Sequence, residues 1–185
     1  FGGALFLHEG DLILSDAVLR NNESSLRGGA VLLSSGDVEL VDSMIRDNSA
    51  STGGGIYMSG QLDMIGSTFE SNTASVDGGA VYMTGVSGDS GVYCDAAGHD
   101  GAGFLGNESD GEGGALWMGS TDSTIRIQSN LCDWGTGSTD NETFDIGLPH
   151  HRVIADGEVT FVCNGAMCSS TVESYGLVSF DPVLF

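Results

Sequence analysis

The chain has 185 residues and a formal net charge of −21, from 26 acidic residues against five arginines (Arg20, Arg27, Arg46, Arg126 and Arg152) and no lysine. Such a surface repels phosphate backbones and grips anionic lipid poorly, which excludes nucleic acid as a partner and favours solubility or divalent cations. Apolar residues make up 40% despite 30 glycines, enough for a core in one domain. No run approaches the roughly 18 apolar residues of a membrane-spanning helix, and no charged-then-apolar leader opens the chain. Phe1 stands directly before a repeat motif, so the expectation is a fragment of a longer solenoid whose N-terminal coils are missing.

In chain order, a Gly-Gly-small-aliphatic motif recurs at Gly2-Gly3-Ala4-Leu5, Gly28-Gly29-Ala30-Val31, Gly54-Gly55-Ile56, Gly78-Gly79-Ala80-Val81 and Gly113-Gly114-Ala115-Leu116. A second motif, apolar-x-x-Asn, follows within the units at Leu19…Asn22, Ile45…Asn48, Phe69…Asn72 and Phe104…Asn107. Two motifs in fixed order mark a repeat architecture. Inside each unit apolar residues alternate with period two, the mark of strands. One pair of columns reads Leu5/Leu7, Val31/Leu33, Ile56/Met58, Val81/Met83 and Leu116/Met118. A second pair reads Leu12/Leu14, Val38/Leu40, Leu62/Met64, Val92/Cys94 and Ile125/Ile127. A third short strand ends at the apolar-x-x-Asn motif. Three short strands per unit without a helix predict an all-β fold: a right-handed, single-stranded parallel β-helix of the pectin-lyase-like kind. About five to six coils are expected, stacked about 4.8 Å apart.

In that arrangement Asn22, Asn48, Asn72 and Asn107 share one corner and can bond their amides into a structural ladder. Two of them begin glycosylation sequons, Asn22-Glu23-Ser24 and Asn107-Glu108-Ser109, which an inward side chain cannot use. Asn141-Glu142-Thr143 reads as the sequon lying outside the ladder.

The paired GGA(I/L/V) and FxxN motifs over residues 2–130 resemble the polymorphic outer-membrane protein repeats of bacterial surface adhesins and autotransporter passengers. The resemblance implies an extracellular or cell-surface location, associated with the outer membrane, and an adhesive or assembly role.

The unit that opens at Gly78 is longer than its neighbours, with the excess within residues 87–103, and insertions in solenoids become loops on one face. After Asn130 the pattern dissolves. Residues 1–130 are therefore read as the repeats and 131–185 as a disulfide-stabilised C-terminal cap over the last coil. The four cysteines contain no CxxC pair, and an even count in this composition suits an oxidising compartment. Of three possible pairings, Cys163–Cys168 and Cys94–Cys132 are preferred, with buried free thiols as the alternative.

Three candidate sites remain. Outward positions of the second strand read Ile13, Glu39, Asp63, Tyr93 and Arg126. Glu39 and Asp63, on adjacent coils about 5 Å apart, have the separation of a retaining glycosidase pair, but solvated acids are the plainer reading and no catalytic residue is assigned. Asp133, Asp140, Asn141, Glu142 and Asp145 cluster among glycines and serines as hard oxygen ligands that could take Ca2+, although the spacing fits no known calcium loop and no cofactor is required. The most informative feature is the outward residue of the first strand: Phe6, Leu32, Tyr57, Tyr82, Trp117. An exposed apolar row about 20 Å long would stack sugars or pack against another protein. The expected function is thus a non-enzymatic surface or secreted scaffold that binds a partner protein or a surface glycan, with a carbohydrate-active hydrolase or lyase as the alternative.

Overall fold

Short amphipathic strands must bury one face each, and a chain without helices can do so only by laying strand on strand. The computed structural model describes residues 2–84, 91–95, 102–119, 126–128, 132–133, 141, 146–148, 160–161 and 172–174. Among them there is no helix, and every strand pair is parallel.

The first turn of chain carries β1 (Leu5–Leu7), β2 (Leu12–Ser15) and β3 (Val18–Arg20). The second carries β4 (Val31–Leu33), β5 (Val38–Val41), β6 (Met44–Arg46) and β7 (Ser49–Thr52). The third repeats this with β8 (Ile56–Met58), β9 (Leu62–Ile65), β10 (Thr68–Glu70) and β11 (Thr73–Asp77). Then come β12 (Val81–Thr84), β13 (Gly91–Asp95), β14 (Ala102–Leu105) and β15 (Glu108–Ser109). The remaining strands are β16 (Leu116–Gly119), β17 (Arg126–Gln128), β18 (Cys132–Asp133), β19 (Ile146–Leu148), β20 (Thr160–Phe161) and β21 (Val172–Ser174).

These form four parallel sheets, ordered β1-β4-β8-β12-β16-β19-β21, β2-β5-β9-β13-β17-β20, β3-β6-β10-β14-β18 and β7-β11-β15. The chain is a β-solenoid. The fourth sheet departs from the three strands expected per unit. Its inward positions are the small Ala50, Ala74 and Ser109, too weak an apolar alternation to read as strands. Residues 85–90 and 96–101, which hold most of the expected insertion, lie outside the described residues. So does most of the expected cap, whose described strands β18 to β21 add in parallel to the existing sheets.

The core is a set of stacked columns. Val31, Leu33, Val38, Leu40, Ile56, Met58, Leu62, Met64, Val81, Met83, Leu116 and Met118 are all fully buried. Phe69 and Phe104 stack with centroids 5.2 Å apart and planes 7° from parallel. Each fully buried side chain of this size contributes about 1.5–3 kcal/mol.

Two registers differ from the sequence reading. The third glycine pair is Gly53-Gly54 rather than Gly54-Gly55: Gly53 has φ +64°, matching +60° at Gly28 and +68° at Gly78. Gly55 takes the alanine position, donating to the Ala80 carbonyl just as Ala30 donates to that of Gly55. A side chain on Gly54 would put its Cβ 2.2 Å from the Gly79 carbonyl oxygen, so the pair is required by the closeness of the coils as well as by φ. In the second sheet, Gln128 and not Arg126 aligns with Tyr93, and Arg126 aligns with Gly91. Ile127 correspondingly aligns with Val92, a two-residue shift from the expected pairing.

The corners follow one rule. A residue in left-handed conformation precedes an inward polar residue, at Asn21-Asn22, Asp47-Asn48, Ser71-Asn72 and Gly106-Asn107, where φ is +56°, +53°, +54° and +59°. The asparagines then bond rung to rung. Asn22 Nδ2 donates to Asn48 Oδ1, Asn48 to Asn72 and Asn72 to Asn107, at 2.9–3.0 Å. The backbone N–H of Asn22, Asn48 and Asn72 donates to the same Oδ1 above it. The second hydrogen of each amide goes to a carbonyl of the coil below: Asn48 to Leu19, Asn72 to Ile45, Asn107 to Phe69. A shorter ladder of hydroxyls runs at the preceding corner, where Ala17 N–H donates to Ser43 Oγ and Ser43 N–H to Ser67 Oγ. Asp37 N–H donates to Asp11 Oδ1, and Gln61 N–H to Asp37 Oδ1, in the same rung-to-rung manner.

Asn72→Ala therefore strands donors and acceptors on two neighbouring coils, each costing about 1–3 kcal/mol when buried. Urea titration should show a loss of about 3 kcal/mol or more, against about 1 kcal/mol for Asn22→Ala at the half-buried end of the ladder. Equal losses would contradict a ladder that acts through its buried rungs. Ser71→Gly should act in the opposite sense. It relieves about 1 kcal/mol of left-handed strain and costs about half of that in unfolded-chain entropy. Calorimetry should find the melting temperature raised by about 1–2 °C.

Candidate functional site

The second residue of β1, β4, β8, β12 and β16 faces outward because its neighbours on both sides face the core. Register places Phe6, Leu32, Tyr57, Tyr82 and Trp117 side by side on successive strands. The Tyr57 and Tyr82 rings stack at 5.1 Å and 7°, and Tyr82 and Trp117 at 4.1 Å and 10°. The ring faces are thus largely spent on one another, and the column offers ring edges outward.

The expected uniform exposure of this row is corrected. Phe6 is 54% exposed, but Leu32 and Tyr57 are only 4% and 9% exposed, and Tyr82 and Trp117 are half-buried. The turn that precedes the second glycine pair is the reason. Buried Ser24 donates its hydroxyl to the Arg27 carbonyl and accepts the Leu26 N–H, which fixes Leu26 and Arg27 beside the column. The Arg27 guanidinium lies 4.7 Å over the Tyr57 ring. Phe6, Leu32 and Tyr57 then line a groove of about 390 Å3 together with Leu26, Arg27, Ser34, Ser51 and Thr52. Neither Leu26 nor Arg27 was singled out by the repeat, because each belongs to a turn and not to an alternating strand.

Glu39 and Asp63 do align on adjacent strands and face outward. Both Asp63 carboxylate oxygens accept from the Gln61 amide at 2.9 Å, so that carboxylate is held as a hydrogen-bonded surface acid. The calcium reading loses a member. Asn141 is buried and is the next rung of the asparagine ladder: its Oδ1 accepts from Asn107 Nδ2 and N–H at 2.9 Å, and its Nδ2 donates to the Phe104 carbonyl. It is therefore neither a free oxygen ligand nor an accessible sequon. Asp140, Asp145 and the side chain of Asp133 lie outside the described residues. Among the described residues no group of three or more His, Cys, Asp or Glu could hold a metal ion. Cys94 is buried and not a free thiol. The side chain of Cys132, and Cys163 and Cys168, lie outside the described residues.

Residues 66–84 match the Chlamydia polymorphic membrane protein (Chlamydia_PMP) repeat. These residues run from the turn before β10 through the asparagine corner and the Gly78-Gly79 pair to the end of β12. The match and the parallel solenoid together fit a polymorphic outer-membrane repeat protein. Comparison with curated proteins and with solved structures finds no match. No helix among the described residues is long and apolar enough to cross a membrane.

Tyr82, stacked on both sides, is the centre of the column. Tyr82→Ala removes two ring pairs worth about 0.5–1.5 kcal/mol each beyond their buried area. Unfolding free energy should fall by about 2–3 kcal/mol, with Tyr82→Phe retaining most of it; a Tyr82→Ala variant as stable as the parent would show that the stack contributes nothing.

Proposed function

We propose that this chain is a non-enzymatic scaffold at the cell surface, with an adhesive or assembly role, which engages a partner protein or glycan along the outer face bearing Phe6, Tyr57, Tyr82 and Trp117. The observation that carries the reading is the outward apolar column from Phe6 to Trp117, on a sheet whose other face is buried. Side chains that serve the core have no need to continue as an apolar row outside it. The match to the polymorphic membrane protein repeat supports a surface adhesin-like scaffold located at the outer membrane or cell surface. Because the rings stack on each other, a partner would meet their edges and the neighbouring groove rather than bare ring faces.

The disulfides and cap belong to the same proposal. Cys94 carries no free thiol, and β13 packs against β18, the strand of Cys132, which supports a Cys94–Cys132 bond beside a Cys163–Cys168 bond. Residues 131–185 would then be a cap tied to the repeats. Non-reducing peptide mapping should recover both pairs, and free thiols at all four positions would end this part of the reading.

The functional test is attachment. Beads coated with the chain should adhere to cultured animal cells or to immobilised matrix proteins above uncoated beads. Trp117→Ala, at the half-exposed end of the column, should reduce that attachment several-fold without loss of the β-rich circular dichroism spectrum. Attachment no greater than that of uncoated beads, or unchanged by Trp117→Ala, would sink the adhesive role of this face.

A further inference from the structure

The position before each glycine pair is occupied in turn by Arg27, Thr52, Asp77 and Glu112, since the following glycine N–H of each coil donates to the carbonyl of the equivalent residue in the next. Charge along this edge of the solenoid therefore runs from positive at Arg27 to negative at Asp77 and Glu112. The groove sits at the positive end. Its lining contains no acidic residue, in a chain that has 26.

Arg27 is poised in an unusual way. Its guanidinium lies over the Tyr57 ring, and among the described residues it has neither a hydrogen-bond partner nor an ion pair. The sole ion pair among those residues joins Arg46 to Asp47, at 3.2 Å. A guanidinium attracted to a ring face at this distance still has N–H groups to present to a ligand, and two of them match a carboxylate in bidentate fashion. Holding it in advance removes part of the ordering cost of binding.

The rest of the groove describes what else the ligand must carry. Ser34 and Ser51 offer hydroxyls to a polyol, and Thr52, whose hydroxyl donates to the Leu26 carbonyl at 3.5 Å, offers an acceptor. Phe6 and Leu26, 54% and 57% exposed, offer an apolar surface to something as small as a methyl group. A volume of about 390 Å3 suits one sugar ring with its substituents rather than a chain of them. A polyanion laid along the axis would also run into Asp77 and Glu112.

We infer that this groove binds the terminal sugar of a glycan that bears a carboxylate, hydroxyls and an N-acyl methyl together, which is a terminal sialic acid. Arg27 takes the carboxylate, the hydroxyl residues take the ring and side-chain oxygens, and Phe6 with Leu26 covers the acyl methyl. A uronic acid has the carboxylate but no apolar group for Phe6 and Leu26. The inference gives the adhesive reading a ligand class and rests on it.

The test uses the 185-residue chain. Titration with 3′-sialyllactose, followed by ligand-observed NMR, should give saturable binding where lactose gives none and a glucuronate-ended trisaccharide binds at least tenfold more weakly. Arg27→Gln should weaken sialyllactose at least tenfold, and Arg27→Lys, which keeps the charge and loses the fork, about fivefold. Arg20→Gln, exposed on the third sheet, should leave it unchanged. The pair of Arg27 variants guards against a folding defect, since this side chain is exposed and both should retain the parent circular dichroism spectrum. No saturable binding, equal binding of the glucuronate ligand, or full binding by folded Arg27→Gln would overturn the inference. The coated beads separate it from the broader reading. Attachment lost on sialidase treatment of the cells supports the sialic acid site. Attachment that survives sialidase yet still needs Trp117 overturns that site and leaves the adhesive face standing.

Discussion

Every residue of a parallel solenoid lies one strand spacing from its own equivalent in the coils above and below. Whatever stands at a position must therefore be compatible with a near copy of itself about 4.8 Å away. At the buried corner this constraint is severe, because the backbone turns away from its sheet partners there and leaves N–H and C=O groups without strand bonds. Asparagine answers it. One Oδ1 accepts both the side-chain and the backbone N–H of the rung below, while the second amide hydrogen returns to a carbonyl of an earlier coil. The same geometry works unchanged from Asn22 to Asn141. The columns of Leu, Ile, Val and Met inside the coil stay in register only while this corner holds.

The constraint treats other side chains differently. Rings accept it readily, since a flat face meets a flat face, as Phe69 and Phe104 do inside and Tyr57, Tyr82 and Trp117 do outside. Charges accept it badly. Glu39 aligns with Asp63, and Arg20 with Arg46. Each conflict has a local answer: the Gln61 amide lies across the Asp63 carboxylate, and Asp47 lies against Arg46. A surface at −21 is thus assembled from neutralised or solvated columns, and a lone cation in an acid-free groove stands out against it.

This also explains what could be read from the sequence. The two-residue alternation of Val31/Leu33 or Ile56/Met58, set between glycine pairs and followed by apolar-x-x-Asn, forces parallel stacking, and the observed registers follow from it. The register failed where the glycines were ambiguous: three in a row at Gly53-Gly54-Gly55 conceal which of them carries the positive φ. It failed at Ile125/Ile127 because those two residues alternate just as a strand pair would, whereas the observed pairing keeps the 35-residue offset of Val81 and Leu116 through to Val92 and Ile127. Asn141 was read as lying outside the ladder because Ser138 stands three residues before it, where the motif has an apolar residue. The fourth sheet, built on Ala50 and Ala74, has almost no hydrophobic signal at all. The groove is legible only in three dimensions, since Phe6, Arg27 and Tyr57 meet across coils that the sequence separates by a full repeat.

Stacking of like on like produces a surface that varies slowly along its axis, which is good for extended contacts and poor for selectivity. Specific recognition needs a place where the repetition breaks. Here the aromatic column is interrupted by Leu32, a smaller side chain between Phe6 and Tyr57, and the interruption opens space beside the rings. The edge next to it changes from Asp and Glu to Thr and then Arg over the same few coils. Size and charge therefore break the pattern at one place, while the buried columns and the asparagine corner continue beneath it undisturbed. A change of ligand could be made there by substituting Arg27 or Leu26 alone, because neither takes part in the ladders that hold the coils together.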